Sequence, residues 1–155
     1  MLRVIDAWAR ETVRRDVFAQ IGEGGWEPQS IEFAHFLQPP DFTRRFNEAS
    51  LIISHAGMGT ILSALLHGKP ILVMPKRASL GEHRSDHQVA TARRMQELGY
   101  ANVAYDEHEL RAKLDKLEEL SPARRIGEGA DEGLITGLRN FIFAGHPPAN
   151  SSRNR

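Results

Sequence analysis

Residues 51–75 read LIISHAGMGTILSALLHGKPILVMP, and this stretch decides the fold. Leu51 to Ser54 is a short apolar run typical of a buried strand. Thr60 to His67 has helical spacing, and Pro70 to Met74 is a second apolar run that follows the break at Gly68-Lys69-Pro70. This order of strand, helix and strand predicts a parallel βαβ unit, because parallel strands need a long crossover between them.

The same alternation extends to both sides of this unit. Upstream, the sequence predicts a helix over residues 2–14, strands over 17–21 and 31–36, and a helix over 42–49 capped by Asp41. Downstream, it predicts a helix over 86–98 capped by Asp86, a strand over 102–105 and a helix over 107–120. We therefore expect an α/β fold, with a Rossmann-like parallel sheet flanked by helices.

The chain is long enough for one domain and a tail. We predict a domain over residues 1–120, a linker with a candidate C-terminal helix over 121–145, and a disordered tail over 146–155. An apolar stripe in the candidate helix fits docking on a partner or membrane, and it fits equally well folding back onto the domain's own core. The stripe consists of Leu134, Ile135, Leu138, Phe141, Ile142 and Phe143.

Composition excludes several classes of function. Among 155 residues, Lys+Arg 20 balance Asp+Glu 20, so the chain lacks the overall positive charge that nucleic-acid binding favours. There is no cysteine, which excludes disulfides, thiolate metal sites and a cysteine nucleophile. No segment has the apolar length of a membrane span or the pattern of a signal peptide. We expect a cytoplasmic protein with no nucleic-acid partner.

The turn after the strand at 51–54 is the first candidate binding site. In an open parallel sheet, ligands lie beyond the carboxyl ends of the strands. Glycine lets the backbone approach a ligand closely, and the N-terminus of the next helix attracts phosphate. The turn has neither a G-x-G-x-x-G fingerprint nor a Walker lysine, so NAD and ATP lack their usual support. A tight turn whose glycines serve only helix–strand packing explains the pattern equally well.

The loop over residues 76–88, KRASLGEHRSDHQ, is the second candidate, because it follows the next strand and should reach the same edge of the sheet. His83 and His87 are four residues apart, which raises the question of a metal site. Without a third ligand we expect no metal here. Asp86 is better explained as a helix cap.

The segments SHAGMGTIL, GKPILVMP and EHRSDHQVATA, in this order, resemble the carboxyl-terminal, donor-binding half of GT-B glycosyltransferases of the family 28 type. They are still more similar to the small catalytic subunit of split transferases, such as the dolichol-linked GlcNAc transferase and its bacterial exopolysaccharide relatives. The resemblance covers residues 1–120. It implies a GT-B half-domain that binds a UDP-sugar.

The resemblance also implies roles for individual residues. The turn and helix start would receive the diphosphate, with His55 as the catalytic candidate; this group is Ser54, His55, Ala56, Gly57, Met58, Gly59 and Thr60. Histidine at a strand end is, however, about as often a structural residue. The second group would contact the sugar and nucleoside: Glu82, His83, Asp86, His87 and Gln88.

The sequence departs from the family pattern in two places. Many relatives carry a glutamate for the ribose hydroxyls on the helix after the turn, where this chain has Ser63, so we expect weaker ribose binding or a shift of that role to Gln88. Relatives also begin with a strand, whereas Met1 stands directly at the first helix. That strand would be central, and its loss would expose two sheet edges.

The implied function is that of the catalytic donor-binding subunit of a two-component glycosyltransferase. It would move a sugar from a UDP-sugar to a lipid-linked acceptor, in exopolysaccharide or lipid-linked glycan synthesis, without a metal or other cofactor. A membrane-anchored partner would supply the acceptor half and recruit the chain to the cytoplasmic face of a membrane. The alternatives are a UDP-sugar epimerase, a non-catalytic UDP-sugar-binding or scaffolding subunit, and a truncated fragment.

Overall fold

The computed structural model describes residues 1–77 and 87–121, which fall within a compact unit spanning Met1–Arg125. The elements are, in chain order, α1 (Leu2–Glu11), β1 (Phe18–Gln20), β2 (Glu32–Ala34), α2 (Pro39–Glu48), β3 (Ile52–Ser54), α3 (Met58–Leu66), β4 (Ile71–Val73), α4 (His87–Glu97), β5 (Asn102–Val103), α5 (Glu107–Leu114) and a 3-10 turn (Leu117–Glu119). Strands and helices alternate from β2 to α5, and the predicted α/β class is confirmed.

Two predicted helix boundaries are wrong. Helix α2 begins at Pro39, and Asp41 lies in its first turn instead of capping it. The reason is that proline is already set to helical φ and suits the first helical position. Helix α5 ends at Leu114 instead of residue 120, since Lys116 takes φ −134° and ψ 52° and starts a 3-10 turn. The described residues do not include the predicted C-terminal helix, Asp86 or most of the loop over 76–88.

All strand pairing in the described residues is parallel. β1 pairs with β2, placing Ala19 opposite Phe33. β4 lies between β3 and β5, with Leu72 opposite both Ile53 and Asn102. The described strands therefore form two sheets, in the orders β1-β2 and β3-β4-β5. No described strand joins them, in agreement with the two open edges expected from the sequence.

The main core lies between α1, α5 and the sheet. Its buried cluster consists of Ile5, Trp8, Ala9, Ile31, Leu72, Met74, Ala104, Leu110 and Leu114. Burying apolar side chains of this size contributes about 1.5–3 kcal/mol each. Asp6, which is also buried, accepts hydrogen bonds from the backbone N–H groups of Gln29 and Ser30 at 3.1 and 2.7 Å. These bonds fix the chain just before β2 against α1.

Burial differs sharply between the neighbouring strands β3 and β4. Ile71, Leu72 and Val73 of β4 are fully buried, as expected for a strand covered on both faces and both edges. Ile52, Ile53 and Ser54 of β3 are only half-buried. β3 is therefore a sheet edge within the described part of the chain, although its sequence is as apolar as that of a central strand.

Candidate functional site

The turn from β3 into α3 is held by its own backbone and by one serine. The backbone N–H of Gly57 donates to the carbonyl of His55 at 2.7 Å, which closes a three-residue turn. The hydroxyl of Ser54 donates to the same carbonyl at 2.8 Å. Ala56 is buried beneath the turn. These contacts turn the chain sharply at the carboxyl end of β3, where a parallel sheet presents its ligand.

Helix α3 begins directly after this turn. Gly57 is its N-cap and makes no side-chain cap hydrogen bond, while the N–H of Ile61 closes the first turn onto the Gly57 carbonyl at 3.2 Å. The N–H groups that precede Ile61 in the first turn have no acceptor within the helix itself. They carry the positive end of the helix dipole, which favours an anion such as phosphate.

The two glycines of the turn face open space. A Cβ atom added to Gly57 or to Gly59 would meet no atom within 4 Å among the described residues, apart from its chain neighbours and the adjoining helix backbone. Gly57 has φ −83° and ψ 130°, a conformation open to any residue. Neither steric crowding within the domain nor a left-handed backbone requires glycine here. The explanation by helix–strand packing, which the sequence left open, therefore lacks support at both positions.

His55 is oriented by the next strand. Its Nδ1 lies 2.9 Å from the carbonyl oxygen of Met74, at the end of β4. Because a carbonyl only accepts, this nitrogen carries the ring's proton, and the neutral ring keeps its lone pair on Nε2. Nε2 donates to a phosphate only when the ring is protonated, whereas the neutral ring accepts a proton there. The Met74 contact could not be predicted from sequence, because it joins two segments that are 19 residues apart.

Gln88 holds the start of the second candidate loop. Its side-chain oxygen accepts a hydrogen bond from the backbone N–H of Lys76 at 3.0 Å. The side-chain N–H groups of Gln88 are then the donors that it could offer to a ligand. His55 reaches Met74 and Gln88 reaches Lys76, so one residue of each predicted group lies beside residues 74–76.

The remaining predicted site residues divide into three sets. Met58 and Thr60 are half-buried in the first turn of α3, and His87 is exposed at the start of α4. Ser63 is half-buried one turn further along α3, and its backbone carbonyl accepts from the N–H and from Nδ1 of His67 at 3.1 and 2.8 Å. Glu82, His83 and Asp86 lie outside the described residues. The ligand contacts of all these residues remain predictions.

The same parts of the chain lack a metal cluster and a membrane-spanning helix, and they carry one further pocket of note. Residues 1–77 and 87–121 contain no group of three or more His, Cys, Asp or Glu placed to hold a metal ion. They also contain no helix of the length and apolarity that crossing a bilayer requires. A surface pocket of about 270 Å³ is lined by Ile71, Asn102 and Lys113, among others. It lies at the amino ends of β4 and β5, opposite to the glycine turn.

Comparison with known proteins gives the family. The fold and the site define an open parallel α/β domain with a glycine turn at the carboxyl end of β3. The chain belongs to the glycosyltransferase family 28 C-terminal domain family, whose model matches residues 2–128. This match confirms the resemblance carried by the glycine turn and the D-H-Q segment.

Individual relatives agree with this assignment. The chain is 38% identical over 109 residues to the UDP-N-acetylglucosamine transferase subunit ALG13 of Eremothecium gossypii, covering 66% of this chain and 52% of that protein. It thus spans about half the length of this curated relative. A crystal structure of the glycotransferase of kitacinnamycin has a TM-score of 0.55 and 21% identity, covering 92% of this chain and 35% of that one, and it shows the same fold. A solution structure of ALG13 has a TM-score of 0.48 and 26% identity, covering 72% of this chain and 52% of that one.

Proposed function

We propose that this chain is the donor-binding catalytic subunit of a two-component glycosyltransferase, with a UDP-sugar as its donor. The observation that carries the proposal is the open space beside Gly57 and Gly59, directly at the N-terminus of α3. Two glycines that the fold itself does not require suit the close approach of a diphosphate to the backbone. Membership of the family and the likeness to a UDP-N-acetylglucosamine transferase subunit support the choice of ligand.

In the proposed reaction, the bond between the anomeric carbon of the sugar and the UDP oxygen breaks, and the acceptor oxygen bonds to that carbon. Negative charge develops on the leaving diphosphate. The N–H groups and dipole of α3 are already aimed at this charge, and such preorganised donors lower the barrier without a metal. The acceptor's proton passes to a general base.

His55 is the candidate catalytic residue of this chain. Its Nδ1 lies 2.9 Å from the carbonyl oxygen of Met74, and this contact orients the ring beside the glycine turn. As an imidazolium it would donate to the diphosphate, and as a neutral ring it would accept a proton. We assign it the phosphate contact, because it adjoins the glycine turn. We place the general base on the partner that presents the acceptor.

The loop after β4 is proposed to recognise the sugar and nucleoside. Gln88 ties the start of this loop to the first turn of α4 through Lys76. Its remaining N–H donors would face acceptor oxygens of the ligand. Glu82, His83, Asp86 and His87 complete the proposed set.

The described domain resembles only the donor half of a GT-B enzyme, so we propose that a membrane-anchored partner subunit provides the acceptor half. The acceptor would be a lipid-linked sugar at the cytoplasmic face of a membrane, in exopolysaccharide or lipid-linked glycan synthesis. The alternative of a non-catalytic UDP-sugar-binding or scaffolding subunit is favoured by one observation. Position 63 carries a serine instead of a carboxylate, so a side chain with two acceptor oxygens for the ribose hydroxyls is missing there.

A transfer assay separates the two proposals. The chain is incubated with membranes from its source cells and radiolabelled UDP-N-acetylglucosamine, and label in the organic extract is counted. The catalytic proposal predicts labelled lipid that depends on the added chain and is lost in His55→Ala. His67→Ala is the matched control, because this exposed histidine contacts its own helix at the far end of α3. Tight UDP binding without transfer would favour the scaffolding subunit.

A further inference from the structure

The surface pocket at the amino ends of β4 and β5 lies at the opposite end of the sheet from the glycine turn. Its volume of about 270 Å³ is just below the roughly 300–1,000 Å³ that is usual for small-molecule sites. The space therefore suits a ligand smaller than a nucleotide sugar. We call it the rear pocket, and its polar lining consists of Gln96, Tyr100, Asn102, Lys113, Glu119 and Ser121.

Hydrogen bonds between separate elements fix the walls of the rear pocket. The side-chain amide of Asn102 donates to the carbonyl oxygens of Ile71 and Ser121 at 3.3 and 3.2 Å. Its oxygen accepts from the backbone N–H of Ser121 at 3.0 Å, so the chain at Ser121 is tied to β5. The hydroxyl of Tyr105 donates to the side-chain oxygen of Gln96 at 3.0 Å, which ties α4 to the loop after β5. The pocket is therefore formed before a ligand arrives.

Several acceptor groups around the rear pocket are already in use, besides the two side-chain oxygens just described. The backbone carbonyl of Gln96 accepts from the N–H of Gly99 at 2.9 Å. The backbone carbonyl of Lys113 accepts from the N–H of Lys116 at 3.3 Å. The carboxylate of Glu119 pairs with the ammonium of Lys116, at 3.0 and 3.3 Å. These groups are therefore poorly placed to hold a cation or a ligand rich in donors.

The donor groups of the rear pocket, by contrast, are open to a ligand. Lys113 is half-buried in the last turn of α5, and its ammonium has no partner among the residues that the structure describes. Within the same residues, the hydroxyls of Tyr100 and Ser121 and the side-chain N–H groups of Gln96 make no hydrogen bond either. A half-buried charge attracts an opposite charge more strongly than a fully solvated one. The lining thus favours a ligand that is negative and rich in acceptors.

We propose that the rear pocket binds a sugar phosphate, with its phosphate group on Lys113 and its hydroxyls on the hydroxyl and amide donors. Lysine binds phosphate as a point charge, and a phosphate monoester carries about 1.5–2 negative charges at neutral pH. Its attraction to one ammonium is thus greater than that of a carboxylate. Inorganic phosphate alone would leave most of the pocket unfilled, whereas a monosaccharide fills it and supplies several oxygen acceptors.

The rear pocket and the proposed donor site lie at the two ends of β4. Ile71 begins this strand at the rear pocket, and Met74, directly after the strand, offers its carbonyl to His55. The strand between them is fully buried. A sugar phosphate at the rear pocket and a UDP-sugar at the glycine turn can therefore be bound at the same time. Binding at the rear pocket requires no UDP-sugar, so the two sites are tested separately.

Nuclear magnetic resonance titration of the full chain with glucose-6-phosphate tests this site. We expect saturable shifts of the amide signals of Gly99 and Ser121 at millimolar ligand. Lys113→Met should weaken binding about tenfold or more, because a hydrogen bond to a charged group is lost. Arg93→Gln is the matched control, since it removes an exposed positive charge of α4 outside the lining and should keep the wild-type affinity. Melting curves verify that both variants are folded.

Glucose and inorganic phosphate are the comparison ligands. Each should bind at least several-fold more weakly than glucose-6-phosphate, and equal affinity of either would overturn the assigned ligand class. Shifts confined to Gly57 and Gly59 would mean that the phosphate occupies the glycine turn and that the rear pocket does not bind it. Unchanged affinity of a folded Lys113→Met would also contradict the assignment.

Discussion

Two glycine-bearing segments of this chain have similar sequences, but their glycines differ in backbone conformation and in surroundings. In the loop GEGG, Gly22 and Gly24 have φ +73° and +67°, and a Cβ on Gly25 would lie 2.5 Å from the carbonyl oxygen of Ile21. The backbone itself requires glycine there. In the turn HAGMG, a Cβ added to Gly57 or Gly59 would meet no atom within 4 Å among the described residues beyond its chain neighbours and adjoining helix backbone. Nothing in the domain's packing explains those two glycines.

The difference separates glycines that the backbone requires from glycines that we propose serve binding. Substitutions in the first loop should damage stability without touching the ligand site. Substitutions of Gly57 or Gly59 should spare the fold and weaken binding of a diphosphate. The proposed donor site therefore predicts that stability and affinity respond independently at these two glycines.

The largest effect is expected for Gly25→Ala. The new methyl group collides with a backbone carbonyl that cannot move away without distorting the chain after β1. We expect unfolding to become easier by about 2 kcal/mol or more, measured by urea denaturation. Glu23→Ala, at an exposed neighbouring position, is the control and should change little. An unchanged urea midpoint for Gly25→Ala would show that this loop can rearrange to accommodate the methyl group.

A smaller effect is expected for His55→Ala. Loss of a charged hydrogen bond to the diphosphate should weaken UDP-N-acetylglucosamine binding by about tenfold or more, in line with about 1.5–3 kcal/mol for such bonds. Calorimetric titration measures this change. Stability should also fall, because the link from β3 to the Met74 carbonyl is removed. His67→Ala should retain the wild-type affinity, and equal losses in both variants would contradict the assigned role.

Gly59→Ala should change stability and affinity in opposite directions. Gly59 is exposed in the first turn of α3, where alanine is the better helix former by up to about 1 kcal/mol. We therefore expect a slightly higher melting temperature. The methyl group enters the open space beside the turn, so UDP should bind several-fold more weakly. A rise in both quantities would mean that the ligand does not approach Gly59.

The sequence predicted the order of elements well, because apolar periodicity and glycine or proline breaks mark them locally. The predicted start of α2 was wrong, because the helix includes a proline pair that begins at Pro39. The predicted end of α5 was also wrong, because the charged residues after Leu114 have good helical propensity but lie outside the helix. The sequence also could not decide whether Gly57 and Gly59 serve ligand binding or helix–strand packing. That question depends on the space around them, which is set by tertiary packing.

Contacts between segments that are far apart in the sequence could not be predicted either. His55 and Met74 are 19 residues apart, and their contact joins a side chain to a backbone carbonyl that any residue would offer. The role of Gln88 at Lys76 is of the same kind. The glycine turn itself was found from sequence, because strand, glycines and helix start follow one another directly.

The smallest effect is expected for Ser63→Glu. If the ribose lies over this turn of α3, a carboxylate adds two acceptors for its hydroxyls. We expect UDP to bind a few-fold more tightly, by about 1 kcal/mol at most. Ser63→Gln, similar in size but neutral, should gain less. Weaker binding in both variants would place the ribose elsewhere.

The most direct test of the donor site is calorimetric titration of the chain with UDP and with ADP, in the wild type and in Gly57→Val, with melting curves of both. We predict saturable binding of UDP in preference to ADP, abolished by the valine, while the melting temperatures stay within a few degrees of each other. Absence of UDP binding by the folded wild type, or unchanged binding by Gly57→Val, would contradict the claim that this turn holds a nucleotide diphosphate.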